Sequence, residues 1–167
     1  LYPEVPVVLG GIEASMRRLT HYDYWKDKLE PSVLIASEAD MLIYGMGEQP
    51  IRELIKLLLK GVPFSSLTTI SQTVISRNKN SALPVNKNWK DIELNSHEKC
   101  ITDKKAFASN FVIFEKESNK VDAARLIEPS GEMNVILNPP FHPMNEAEAD
   151  RTYDLPYSYL PHHRYIN

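Results

Sequence analysis

Asp40-Met41-Leu42-Ile43-Tyr44-Gly45-Met46-Gly47-Glu48-Gln49-Pro50-Ile51 decides the fold class. Met41 to Tyr44 is a continuous apolar run too short for a helix, and such a run fits a strand covered on both faces. Gly45-Met46-Gly47-Glu48 supplies a turn. Pro50 stands where a helix begins, since the first-turn N–H it lacks has no intrahelical partner. Ile51, Leu54, Ile55 and Leu58 then recur on one helical face. Gly61 and Pro63 end the helix.

Upstream, Val5-Pro6-Val7-Val8-Leu9 is another short apolar run, closed by Gly10-Gly11. Ile12, Met16 and Leu19 follow at helical spacing, whereas His21 to Trp25 is too aromatic and polar to assign. Two strand–turn–helix units in series predict an α/β fold with a parallel sheet flanked by helices. Ser32 to Ala36 is a further apolar run. Downstream, Thr68 to Ser76 is rich in β-branched residues and reads as a strand, and Arg77 to Lys90 as a loop. Asn95-Ser96-His97-Glu98 suggests a capping box. The helix it opens would reach about Lys116, with Cys100, Phe107, Phe111 and Phe114 inward. Arg125 to Glu128 and Met133 to Leu137 form a hairpin about Pro129-Ser130-Gly131. Beyond Asn138 prolines recur, with one short helix over 145–153 and otherwise an extended C-terminal segment. The expected divisions are therefore 1–76, a helix and hairpin extension over 77–137, and a proline-rich linker over 138–167.

The chain has 167 residues and a formal charge of −3, so no strong field draws nucleic acid or an anionic membrane toward it. Its basic residues are scattered, and no apolar run is long enough to span a bilayer. The single cysteine, Cys100, cannot form an intrachain disulfide or by itself hold a metal cluster; this usage suits the cytoplasm. Cys100 reads as a small core residue. His162 and His163 are adjacent and point to opposite faces of an extended chain, so they chelate poorly. Glu13 reads as a complement to a helix dipole.

Two groups of residues could carry function. Gly10, Gly11, Gly45, Gly47 and Glu48 follow buried strands, where ligands of open α/β sheets bind, and could line one crevice; the plain alternative is two tight turns. Neither turn is a G-x-G-x-x-G or P-loop motif, which disfavours a free-standing nucleotide-binding enzyme. Arg17, Arg18, His21, Tyr22, Asp23 and Trp25 form a polar-aromatic patch suited to domain docking, or else half-buried packing with surface charge.

Several stretches together resemble the YgiQ-like radical SAM proteins. They are Val5 to Ser15, Arg17-Arg18, His21-Tyr22-Asp23-Tyr24-Trp25, Ala39 to Gly45, Asn138-Pro139-Pro140, Glu146 to Asp150, Tyr153 to Tyr157, and Pro161-His162. The middle, about 68–120, matches only in general character. The resemblance implies part of a Rossmann-like, cobalamin-binding-type domain lying ahead of a radical SAM barrel. There the glycine pair and the Gly-x-Gly-Glu turn lie by the nucleotide end of the ligand. Cobalamin itself stays open, because the first strands and any histidine ligand would precede Leu1. The barrel of the intact protein would hold a [4Fe–4S] cluster on C-x-x-x-C-x-x-C and cleave S-adenosylmethionine to a radical. Cys100 matches none of those cysteines. The chain is thus expected to be cut from a longer polypeptide, to be non-catalytic alone, and to have the barrel of the same polypeptide as partner, with neither nucleic acid nor membrane. A pure interaction or scaffold module is the competing expectation.

Overall fold

A computed structural model describes residues 4–165. The chain runs β1 (Val8–Leu9), α1 (Gly11–Met16), β2 (His21–Asp23), β3 (Lys28–Glu30), α2 (Val33–Ser37), β4 (Met41–Ile43) and α3 (Glu48–Leu59). It continues through β5 (Thr73–Asn78), β6 (Asp91–Glu93), α4 (His97–Thr102), α5 (Lys104–Ser118), β7 (Arg125–Ser130), β8 (Met133–Leu137) and α6 (Glu146–Tyr153). Six strands form one sheet in the order β1-β4-β5-β8-β7-β6, and β2 and β3 form a separate hairpin.

The α/β class with helices flanking a central sheet holds, and the pairing adds a distinction. The sheet is parallel at its two ends, where β1 meets β4 and β6 meets β7. The β4–β5, β5–β8 and β7–β8 pairings are antiparallel. The reason lies after α3. A helix alone would return the chain to the start of β4 and make the next strand parallel. Here the long stretch between α3 and β5 carries the chain back, so that Thr73 pairs with Ile43. The β7–β8 hairpin occurs where the turn residues place it, with Gly131 at φ +55°. It is not an appendage: β8 lies between β5 and β7 inside the sheet. The stretch 77–137 thus supplies half of the sheet to which 1–76 contributes the rest.

Alternation along the strands separates two cores. Leu42, Val74, Val135 and Leu137 face one side, joined by Leu34, Leu94 and Leu126. Met41, Ile43, Ile75 and Ile136 face the other, against Leu54, Leu67 and Ile70. Each of these strands is apolar on both faces because both faces are covered. At about 25 cal/mol per Å² of buried apolar surface, this double burial is the main favourable contribution to the fold.

Several local expectations are corrected. On α3, Leu54 is buried with Pro50, while Ile51, Ile55 and Leu58 stay substantially exposed. On α1 the buried residue is Ala14, and Ile12 and Met16 face outward. The single helix expected to open at Asn95-Ser96-His97-Glu98 and reach about Lys116 is two helices, because Asp103 leaves helical geometry and its side chain accepts from Lys105 N–H at 2.9 Å. The N-cap of α4 is Ser96 rather than Asn95, which puts Glu98 at the second helical position, out of capping-box spacing; Glu98 instead accepts from Gly131 N–H at 2.6 Å. Phe111, expected inward, lies 58% exposed, whereas Cys100 is buried. The helix expected at 145–153 is present, with a complete capping box between Asn145 and Glu148.

Candidate functional site

Parallel pairing of β1 with β4 brings the two glycine turns together. Ser15 Oγ donates to the Gly11 carbonyl at 2.7 Å and accepts from Gly45 N–H at 2.9 Å. Gly11 and Gly45 have φ of +88° and +67°, a region side chains disfavour. Gly47 precedes α3, and a Cβ there would crowd Ile51 at 3.2 Å. Gln72, in the turn just before β5, closes the turn, its side-chain N–H donating to Tyr44 and Met46 carbonyls at 2.7 and 2.5 Å. Gly10 lies beside the Ile43 carbonyl. Glu48 opens α3, and its Oε2 is buried without a partner among the described residues.

The Arg17–Trp25 segment divides into inward and outward members. Asp23 is buried and accepts from the Trp25 and Lys26 N–H groups, capping the turn from β2 to β3. Arg17 pairs with Asp23 at 3.7 Å and with Glu13 at 3.5 Å. Arg18 turns inward, its guanidinium 4.7 Å from the Tyr44 ring centroid and 4.4 Å from that of Phe114. Such stacking favours a cation; burial nevertheless holds the Arg18 pKa below its ordinary value. The outward members are Tyr22 at 54% exposure, Trp25 at 79%, and Tyr24, whose ring stacks on Trp25 at 4.6 Å between centroids.

Behind the hairpin lies a cavity of about 200 Å³ between β2, α5 and β7. Arg18, Thr20, His21 and Glu128 line it with the rings of Phe107, Phe111 and Phe114. Glu128 is 1% exposed. Its Oε2 accepts from Thr20 N–H at 2.8 Å, and Glu128 forms no ion pair among the described residues. Burial pushes its carboxyl up to about 7, against the opposing effect of the Thr20 backbone and hydroxyl donors. The Thr20 hydroxyl also meets His97 Nδ1 at 2.9 Å, linking carboxyl, hydroxyl and imidazole in series. His21 Nδ1–H donates to the Leu19 carbonyl at 3.2 Å, which leaves Nε2 as a buried acceptor without a partner among the described residues. Burial lowers the pKa of both imidazoles.

Glu128, Thr20 and His97 were absent from the sequence-based site. A signal for Glu128 existed. In Arg125-Leu126-Ile127-Glu128 it shares a strand face with the core residue Leu126, and so points inward.

The residues of this chain do not fit an iron–sulfur cluster. Cys100 is its one cysteine, its Sγ lies 3.3 Å from the Asn110 side-chain N–H, and burial pushes the thiol up to about 11. A ligating sulfur must be a thiolate. Among the described residues no three His, Cys, Asp or Glu side chains gather as metal ligands, and no helix is long and apolar enough to cross a membrane.

A family model described as radical SAM N-terminal matches residues 1–167. A UPF0313 protein of Porphyromonas gingivalis is 49% identical over 165 residues, covering 99% of this chain and 26% of that protein. One of Bacteroides thetaiotaomicron is 48% identical, covering 99% of this chain and 28% of that protein. One of Methanocella arvoryzae is 38% identical, covering 98% and 26%. The chain therefore spans about a quarter of the length of these relatives. No solved structure matches it significantly.

Proposed function

Because the chain belongs to the radical SAM N-terminal family, we propose that it is a non-catalytic part of a YgiQ-like, cytoplasmic radical SAM oxidoreductase and docks on the barrel of the same polypeptide. The intact protein would hold the [4Fe–4S] cluster and S-adenosylmethionine; none of the cluster's ligands would come from these residues. The observation that carries the docking role is the β2–β3 hairpin. Its charges are satisfied internally by the Arg17–Asp23 pair and the Asp23 cap, while Tyr22, Tyr24 and Trp25 stand outward. Exposed aromatics on a braced turn are the residues that dominate interface energetics.

In the same reading, Gly10, Gly11, Gly45, Gly47 and Glu48 form an edge that could approach a cofactor or substrate held against the barrel. The unpartnered Glu48 carboxylate oxygen supports it. A scaffold role without a small ligand is favoured by one observation: Ser15 and Gln72 already bond several polar groups of these turns.

Docking is tested at the hairpin lysines. Lys26 and Lys28 have side chains 58% and 61% exposed in this chain. In the full-length protein the docked hairpin is expected to resist trypsin at both. A Tyr24→Ala/Trp25→Ala variant is expected to be cut there at least ~10-fold faster, consistent with losing hot-spot aromatics. Equal cleavage of the two proteins contradicts docking through this hairpin.

A further inference from the structure

The sheet has an open edge at β1, and that edge has the composition of an interior strand. Val5-Pro6-Val7-Val8-Leu9 is apolar at every position, the pattern of a strand covered on both faces. Yet among the described residues β1 has a neighbour on one side only, β4. The Val7 carbonyl accepts from Met41 N–H at 3.3 Å, and Val7 N–H donates to Asp40 Oδ2 at 2.7 Å. Val7 thus turns its backbone groups towards β4, and alternation turns the N–H and carbonyl of Val8 to the open side. Val5, Val7 and Val8 are exposed. Natural edges are commonly guarded by charged side chains; Val5 to Leu9 carries none. The helix beside this edge has the same excess. A surface helix needs an apolar stripe of about 100°. At about 100° per residue, Leu57, Pro50, Leu54, Leu58, Ile51 and Ile55 succeed one another around α3 over roughly 160°. Pro50 and Leu54 are buried, and Leu57 packs on the same core as Phe141, which follows β8. Leu58, Ile51 and Ile55 are exposed. The crossover from β1 to β4 passes through α1 on the Leu42 face and takes the right-handed course. α3 returns over the opposite face, that of Met41 and Ile43. A right-handed helix so placed carries Leu58, Ile51 and Ile55 on its flank towards β1, away from Phe141. The open strand and the exposed flank therefore adjoin.

We propose that a β-strand of the same polypeptide, from outside residues 1–167, pairs with β1, and that an apolar element joined to it covers Ile51, Ile55 and Leu58. β1 is then an interior strand, and the six strands are part of a larger sheet. The backbone groups of Val8 call for a strand, and the uncharged flank of α3 calls for an apolar cover. This chain is about a quarter of the length of its relatives, so most of the polypeptide is available to supply both. A tethered segment meets the surface at an effective concentration of about millimolar, which favours it over a second copy. The surface is separate from the β2–β3 hairpin, so its test stands or falls apart from docking through that hairpin.

Two measurements on the full-length protein test it. Hydrogen exchange followed by mass spectrometry reads the edge: the Val8 amide is expected to exchange at least ~100-fold more slowly than in an unstructured peptide of the same sequence. Cysteine labelling reads the flank. Ile55→Cys is expected to react with a maleimide at least ~10-fold more slowly than Lys56→Cys, on the polar face of the same helix, each followed on the tryptic peptide that carries it. Both protections are expected in the monomer isolated by gel filtration and at every protein concentration. Faster exchange at Val8 in wild-type protein, or a smaller difference between the two cysteines, overturns the proposal. Protection that disappears on dilution also overturns it, because the cover is then a second copy.

Discussion

Glu128→Gln is expected to make the fold more stable at pH 8, by roughly 2–3 kcal/mol, and to change little at pH 5. The sign follows from the position of the carboxyl. Burial raises it from the ordinary 4.5 to about 7. Between those values the native state binds more protons than the unfolded chain, so stability falls as pH rises through that window. Below the unfolded value both states are protonated and no penalty exists. Above about 7 the penalty is complete. Glutamine keeps the acceptor for Thr20 N–H and cannot ionise, so the slope is lost. Urea denaturation of both proteins at pH 5, 6, 7 and 8 measures it. Parallel curves, with the variant no more stable at pH 8, would mean that Glu128 is not held as a buried acid. A residue that destabilises its own fold at neutral pH is the kind of feature retained for function.

The second large effect is at Asn138, which is fully buried at the end of β8. Its side-chain N–H group donates toward the Thr68 carbonyl at 3.1 Å, the Ile70 carbonyl at 3.0 Å and Thr73 Oγ1 at 3.0 Å. Its backbone carbonyl separately accepts from the Tyr44 hydroxyl at 2.7 Å, a bond that side-chain truncation leaves in place. These bonds hold the irregular stretch before β5, the same stretch that turns the sheet antiparallel. Asn138→Ala strips buried acceptors of their donor and leaves a void, so a loss of roughly 3 kcal/mol is expected in urea denaturation. A loss under about 1 kcal/mol would show that the stretch is held by other means.

How far these features could be read from the chain depends on the range of the physics behind them. The unit from Met41 through α3 was legible because an apolar run, a glycine turn and a proline at the helix start are local signals. The β7–β8 hairpin was legible for the same reason, and α6 as a short helix, though its cap was not read. The β2–β3 hairpin was not. His21 to Glu30 lacks strand alternation, and its turn rests on Asp23 capping backbone groups and on Asp27 adopting φ +50°. The direction of β5 was hidden because it depends on the irregular stretch after α3, which is bonded to Asn138, far along the chain. Arg18 and Arg17 are adjacent in sequence but opposite in role, a difference set by Tyr44 and Phe114 on other elements. Glu128 was readable in principle from strand alternation, yet a lone acid in a strand suggests nothing until the cavity before it is seen.

If this chain serves a radical SAM protein without contributing to its cluster, Cys100 is dispensable for cluster assembly. The direct measurement is anaerobic iron–sulfur reconstitution of the full-length protein, wild type and Cys100→Ser, followed by reduction with S-adenosylmethionine. Both proteins are expected to bind the same iron and sulfide and to form 5′-deoxyadenosine at the same rate. A colourless wild type, or loss of iron on replacing Cys100, would contradict it.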